Sequence, residues 1–218
     1  MENQQGPFED RRDGGRKLAA RLRRYARRDD VVVLGLPRGG VPVAFEVARA
    51  LQVPLDVFGV RKLGVPGHEE LAMGAVASGG VRVLNEDVVI ATGVDTDQID
   101  AATQRERDLI DRQEQTYRGE RPPVDVRGRV AILVDDGLAT GATMRAAIKA
   151  LRDRGADKIV VAVPTASSQA CEALERDANE VVCAITPEPF MAVGLWYREF
   201  SPTSDEEVRG LLDDARVA

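Results

Sequence analysis

Apolar positions along this chain fall into two alternating kinds of run. Val31 to Leu36, Arg129 to Val134, Ile159 to Val163 and Val181 to Ile185 are apolar at almost every position, and between them lie stretches where apolar residues recur every three or four positions. The first kind reads as strands covered on both faces, the second as helices packed by one stripe. Val31 to Leu36 ends at Pro37 and leads into a helix carried by Val41, Ala44, Phe45 and Ala48. Leu55 to Val60 reads as a second strand. Arg61 to Gly80, with five glycines and one proline, reads as a long exposed excursion holding a short strand at Leu71 to Ala77. Val81 to Ile90 reads as further strand, and Thr96 to Tyr117 as a charged helix ending near Gly119 and Pro122. After the strand at Arg129 to Val134, Asp135 to Gly141 has turn chemistry, and Met144, Ala147, Ile148 and Leu151 form a helical stripe stopped by Gly155. A short helix over Ser167 to Asp177 separates the last two strands. This alternation predicts an α/β fold, a mostly parallel twisted sheet flanked by helices.

At 218 residues the chain has length for one principal domain. Its core is expected over about residues 30–186, with an N-terminal basic helix over about 11–28 and a C-terminal segment over about 187–212. Hydrophobic residues at 44% and charged residues at 30% exclude a disordered chain. The apolar runs are strand-sized, so no membrane span is predicted. The start, MENQQGPFEDRR, lacks the apolar segment of a secretory signal. Cys171 and Cys183 read as two reduced thiols, and a cytoplasmic setting is expected. Charge is unevenly spread: Arg11 to Arg28 carries nine basic residues and one acidic residue, net +8, leaving −14 for the rest of a chain whose total is −6. Leu18, Leu22 and Tyr25 would turn one face of that helix inward, so an amphipathic solvated helix is expected and nucleic acid is not.

The chemistry concentrates in RVAILVDDGLATGATM. Two carboxylates, Asp135 and Asp136, follow directly on a buried strand; in open α/β sheets ligands sit at such strand ends. Gly137, Leu138, Ala139, Thr140, Gly141, Ala142 and Thr143 follow, a loop of mostly small residues at a helix start. Its backbone N–H groups can close around a phosphate, with the helix dipole favouring the anion. Aspartates repel phosphate, so one ligand served by both parts must carry hydroxyls or a cation beside its phosphate, as a ribose 5-phosphate does. GLATGATM lacks the spacing and lysine of a nucleotide P-loop, and neither GLPRGG nor GLATGA gives the dinucleotide fingerprint.

VAILVDDGLATGAT resembles the sugar-diphosphate signature of the type I phosphoribosyltransferases: hydrophobic strand, two acidic residues, three variable positions, then Thr-Gly-small-Thr. The resemblance covers roughly Val31 to Ile185. It implies that fold, with a small hood or flap formed by terminal segments, and a ligand, 5-phosphoribosyl-1-diphosphate, whose ribose hydroxyls meet Asp135 and Asp136 and whose 5-phosphate meets Gly137 to Thr143. GLPRGG, with Arg38, Gly39 and Gly40, looks like the family's diphosphate loop, and Arg61 and Lys62 like its basic pair. LGVPGHEELAMGAV, with His68 and Glu69, occupies the place of the family's mobile loop. Mg²⁺ is implied as cofactor, held mostly through ligand and water, with Asp135 beside it. A homodimer is the family default.

The acceptor side is less defined. Phe190, Trp196, Tyr197 and Phe200, four of the nine aromatics, fall within eleven residues and offer flat surface for a base. FMAVGLWYREF loosely resembles the hood of purine-type members but lacks their Val-Gly-Tyr and Leu-Asp-Tyr pattern; core packing or a subunit contact is the competing use. Pro164, Thr165 and Ser167 are expected to face the same pocket. The function implied is transfer of the phosphoribosyl group to a nitrogenous, base-like acceptor with release of diphosphate. The rivals are a same-fold regulator that binds the sugar diphosphate or a nucleotide as effector, with nucleic acid as a partner of its basic N-terminal helix, and an enzyme that makes or hydrolyses the sugar diphosphate.

Overall fold

The structure, a computed structural model, describes residues 7–139 and 141–215. A five-stranded parallel sheet in the order β2-β1-β6-β7-β8 forms its centre, from β1 (Val31–Gly35), β2 (Leu55–Val57), β6 (Val130–Val134), β7 (Lys158–Thr165) and β8 (Glu180–Ile185). Every residue of β1 and β6 is buried, because helices cover both faces of the sheet. Side chains alternate between the faces. Val31, Val33, Val130, Ile132 and Val134 pack against α1 (Arg11–Arg21) and α2 (Gly40–Leu51) through Leu18, Val43, Val47 and Leu51. Val32, Leu34, Ala131 and Leu133 face α5 (Ala142–Asp153) and α6 (Ser168–Leu174) through Met144, Ile148, Leu151 and Leu174.

The segment expected as an exposed excursion is instead a second sheet, and the short strand expected at Leu71 to Ala77 lies within its middle strand. β3 (Val60–Val65), β4 (His68–Ala77) and β5 (Val81–Leu84) run antiparallel, and Leu63, Val65, Met73 and Val76 pack on Ile99, Ala102 and Ile110 of α4 (Thr96–Arg118). Its glycines mark close approach: a Cβ on Gly74 would stand 2.3 Å from the Val83 carbonyl oxygen, and one on Gly64 2.6 Å from that of Glu69. The strand expected over Leu55 to Val60 is split between the two sheets. The strand expected over Val81 to Ile90 stops at Leu84 and gives way to α3 (Glu86–Thr92), which opens with Glu86 and Asp87 and ends at the left-handed Gly93.

A buried polar knot fixes the hairpin to the core. Gly59 N–H, between β2 and β3, donates to Ser78 Oγ at 3.0 Å and Glu114 Oε1 at 2.7 Å. Arg118 then bonds Glu114 at 2.7 Å, Asp56 at 2.8 Å and the Val57 carbonyl at 2.5 Å.

At the N-terminus the basic segment is shorter than expected, α1 giving way to a 3-10 turn at Arg23–Tyr25, and Leu18, Leu22 and Tyr25 are buried. Its charges find partners within the chain: Arg24 and Lys158 meet Glu180, and Arg28 meets Asp30. At the other end, α7 (Asp205–Asp214) stands where an aromatic segment is expected to run on to about residue 212, and it buries Val208, Leu211 and Leu212. The cysteines, expected as separate thiols, are joined as a disulfide between α6 and β8. The fold sets these two elements side by side, which their spacing in sequence does not reveal. No helix among the described residues is long and apolar enough to cross a membrane.

Candidate functional site

In the parallel sheet the carboxyl ends of β1 and β6 lie level, Gly35 opposite Val134, so the loops after them meet. Leu36 N–H donates to the Val134 carbonyl at 2.9 Å, which draws GLPRGG over the end of β6. The peptide between Pro37 and Arg38 is cis. The two glycines that follow touch the acidic pair: a Cβ on Gly40 would stand 2.9 Å from Asp135 Cα, and one on Gly39 2.1 Å from Asp136 Oδ2. Sequence-distant residues 39–40 and 135–136 are therefore one surface, with the Arg38 side chain exposed at its edge.

Asp135 and Asp136 are largely withdrawn from water. Burial, reinforced by the neighbouring Asp136 charge, pushes the Asp135 carboxyl well above the usual carboxylate range. Burial also raises Asp136, and the Arg11 guanidinium opposes that rise with an ion pair at 2.9 Å. Two carboxylates held close in a low-dielectric setting need hydroxyl donors or a cation to be comfortable together.

The small-residue loop is partly built into the sheet. Leu138 N–H donates to the Thr165 carbonyl at 3.0 Å, and Ser167 N–H donates to the Leu138 carbonyl at 3.2 Å. Gly141, at φ 75°, turns the chain into α5 and, having no side chain, supplies no cap of its own to the amides of that helix start. Thr140 lies outside the described residues. Gly137 is overhung by Val193, whose Cγ1 would be 2.4 Å from an added Cβ.

Thr143, in the first turn of α5, shares a cavity of about 420 Å³ with Arg61, Lys62, Glu69, Arg105 and Glu106. The structure thus brings the helix start and the basic pair to one hollow. Arg61 and Lys62 reach it from β3, not from the end of a core strand as the sequence predicts. Arg61 pairs with Glu106. Arg105 was not foreseeable: it sits on a helix that exposes several other charged side chains, Arg107, Asp108, Asp111 and Arg112 among them, so nothing singles it out. His68 is exposed at the far end of the hairpin, opposite Val65, and does not line this cavity; Glu69 does.

On the acceptor side the expectation needs correcting. Tyr197 is 5% exposed, stacked on Phe200 at 5.1 Å, close to Phe8 at 5.5 Å, and its hydroxyl bonds the Asp136 carbonyl oxygen at 2.5 Å. It is a clamp on the acidic pair, with no face free to stack on a base. Pro164 is buried beneath α1, its Cβ 3.0 Å from where a Gly14 Cβ would stand, so it does not face a pocket. Thr165 Oγ1 and Trp196 Nε1 are buried without a hydrogen-bond partner among the described residues, and Phe190 and Trp196 are half-buried. Missed altogether by sequence reasoning are Arg11, which lies among other arginines, and Val193.

A magnesium ion fits this donor set only with help from a ligand. Among the described residues no group of three or more His, Cys, Asp or Glu side chains could hold a metal, so phosphate oxygens and water would have to supply most of its octahedron.

The family model for the phosphoribosyl transferase domain matches residues 8–195. Two Mycobacterium tuberculosis proteins that bear the provisional name phosphoribosyl transferase are 51% identical over 208 residues, 95% of this chain and 47% of theirs. The chain therefore spans about half the length of these curated relatives. A Nocardioides uracil phosphoribosyltransferase is 40% identical over 74 residues, 34% of each chain. The crystal structure of Thermus thermophilus TT1426 superposes with a TM-score of 0.82 at 44% identity, covering 95% of this chain and 98% of that one. Matched over most of its length by that model, and carrying the acidic pair and small-residue turn at the carboxyl end of β6, the chain belongs to the phosphoribosyl transferase domain family.

Proposed function

We propose that this chain transfers the phosphoribosyl group of 5-phosphoribosyl-1-diphosphate to a nitrogenous, base-like acceptor and releases diphosphate. The observation that carries the reading is the junction of three parts: two half-buried carboxylates, a glycine-led helix start beside them, and a hollow on the hairpin that holds Arg61, Lys62 and Arg105. In this reading Asp135 and Asp136 accept hydrogen bonds from the ribose hydroxyls, and their charge lies near the sugar ring as it turns oxocarbenium-like. Residues 137–143 hold the 5-phosphate through backbone amides and the Thr140 and Thr143 hydroxyls. Arg38, with the Gly39 and Gly40 amides, and Arg61, Lys62 and Arg105 stabilise charge growing on the departing diphosphate. Magnesium bound with the ligand would neutralise part of the diphosphate charge. Closure of the hairpin would exclude water that otherwise hydrolyses the activated sugar. The half-buried Phe190 and Trp196 remain as apolar surface for the acceptor. The reading carries with it a cytoplasmic setting and a homodimer.

Calorimetry of phosphoribosyl diphosphate with Mg²⁺ tests it. Binding to the wild type and its loss in Asp135→Asn/Asp136→Asn are expected; equal affinity in the two proteins would refute the assignment. A panel of bases scored by diphosphate release then identifies the acceptor. Intact binding without release from any base would replace the transferase by an effector-binding regulator of the same fold.

A further inference from the structure

Arg11, the first residue of α1, reaches the acidic pair across 125 positions of sequence. Its Nε donates to Asp136 Oδ2 at 2.9 Å, and its Nη1 donates to the Ser201 carbonyl at 2.7 Å. Its guanidinium carbon lies 3.9 Å from the centroid of the Phe200 ring, and Phe200 stacks in turn on Tyr197. The Arg11 and Asp136 side chains are only 12% and 18% exposed. Two of the three contacts that hold this guanidinium do not involve Asp136, so the group is part of the frame. A plug that leaves when ligand arrives would forfeit a carbonyl bond and a cation–π contact as well as the ion pair.

The geometry leaves Asp136 half used. Oδ2 is closed off by Arg11 and by the backbone of Gly39, while Oδ1 has no hydrogen-bond partner among the described residues. Three titratable groups face this carboxylate: Asp135 from the same strand end, Arg11 from α1 and the Tyr197 hydroxyl from the C-terminal segment. Arg11 is the cation among them.

We propose that Arg11 is a positioning residue for the sugar, holding Asp136 turned so that its free oxygen meets a ribose hydroxyl. The inference rests on the reading of the acidic pair as a pentose site, and names a residue outside the family motif on which that site depends. Phosphate and diphosphate recognition, which falls to other residues, is independent of it.

The test compares ribose 5-phosphate with inorganic diphosphate, each titrated calorimetrically with Mg²⁺ into the wild type, Arg11→Met, Arg11→Lys and Asp136→Asn. Methionine keeps an apolar stem against Phe200 and removes the charge. Arg11→Met is expected to weaken ribose 5-phosphate by about ten- to a hundredfold, the range of one charge-assisted hydrogen bond, and to leave diphosphate within about twofold. Lysine should recover part of the loss. In the Asp136→Asn background, Arg11→Met should add no further loss. Tighter ribose 5-phosphate binding in Arg11→Met would make Arg11 a plug and overturn the proposal, as would unchanged binding or an equal loss for both ligands. If Arg11→Met does not fold, Arg11→Lys carries the test alone, with a selective loss of about three- to tenfold for ribose 5-phosphate expected from its poorer fit to carboxylate and ring. Wild type and Asp136→Asn binding ribose 5-phosphate equally would sink the pentose-site reading itself, and this proposal with it; selective binding by the wild type with no effect of Arg11 would sink the proposal alone.

Discussion

Replacing Gly40 by alanine probes the seam between the glycine loop and the acidic pair with a single methyl group. Gly40 opens α2, and its backbone is not in the left-handed region, so alanine brings no conformational strain and a helix-propensity gain of up to about 1 kcal/mol. What it meets is rigid. The new Cβ would stand 2.7 Å from the Val134 carbonyl oxygen and 2.9 Å from Asp135 Cα, where ordinary contact begins at 3.4 Å, a shortfall of about 0.7 Å. Both atoms belong to the backbone at the end of the central, fully buried strand β6, which cannot retreat. The loop must lift instead, at about 1–3 kcal/mol for overpacking, so that with the full propensity gain set against it the net loss is up to about 2 kcal/mol. A shift of that size also carries Arg38 and Gly39 away from Asp136, and affinity for Mg²⁺-phosphoribosyl diphosphate should fall at least about tenfold, since misplacement on the ångström scale costs up to about a hundredfold. Gly210, in α7 with nothing within 4 Å of an added Cβ, is the control: alanine there should stabilise by about 0.5–1 kcal/mol. Guanidinium denaturation and calorimetry read both effects. If Gly40→Ala gained stability as Gly210→Ala does and bound ligand normally, the packing of the loop on the carboxylates would be wrong.

Glu114→Ala removes the acceptor shared by Gly59 N–H, the Ser78 hydroxyl and Arg118, and should cost about 1–3 kcal/mol by unpairing buried donors while Arg118 keeps its bonds to Asp56 and the Val57 carbonyl, with faster amide exchange at the base of the hairpin; protection unchanged from wild type would contradict it. Asp135→Asn should raise stability at neutral pH and leave it unaltered in acid. A buried carboxyl whose folded value lies above its unfolded one takes up its proton on folding, so wild-type stability falls as pH rises through that interval; a constant difference at all pH values would refute the sign. Reducing the Cys171–Cys183 bond, which spans a separation of 12 residues, should cost about 3 kcal/mol by loop-closure entropy, an effect absent in Cys171→Ser; a denaturation midpoint indifferent to reductant would argue against the bond.

The parallel core was legible because each of its strands is covered twice. Val31–Gly35 and Val130–Val134 have no solvent face, so their apolar character is unbroken and their ends, marked by Pro37 and by Asp135 and Asp136, stand out. Of the second sheet, the strand at Leu71 to Ala77 and the start of the one at Val81 were legible, but its first strand was not, because glycine has two meanings: Gly64 and Gly74 read as looseness, whereas they admit neighbouring backbone. Helix α7 did carry a signal, Ser204 three residues before Glu207 and then Val208, Leu211 and Leu212 on one face, and Ser204 Oγ does accept from Glu207 N–H at 3.1 Å. The aromatic cluster at residues 190–200 could be seen in composition, but its use as packing around Asp136 depends on Phe8 and Arg11 from the opposite end of the chain. No local pattern in the sequence encodes a partner that far away.

The bond from Arg11 to the Ser201 carbonyl spans 190 residues. Contacts of such sequence span form only after the intervening chain has been gathered in, and their loop closure is among the slowest to be repaid. A nascent chain emerging from the ribosome can therefore assemble β1 and β6, and with them the motif, well before Asp136 acquires its final surroundings. The surroundings of Asp136 are thus completed late, once the segments that carry Arg11 and Ser201 find each other.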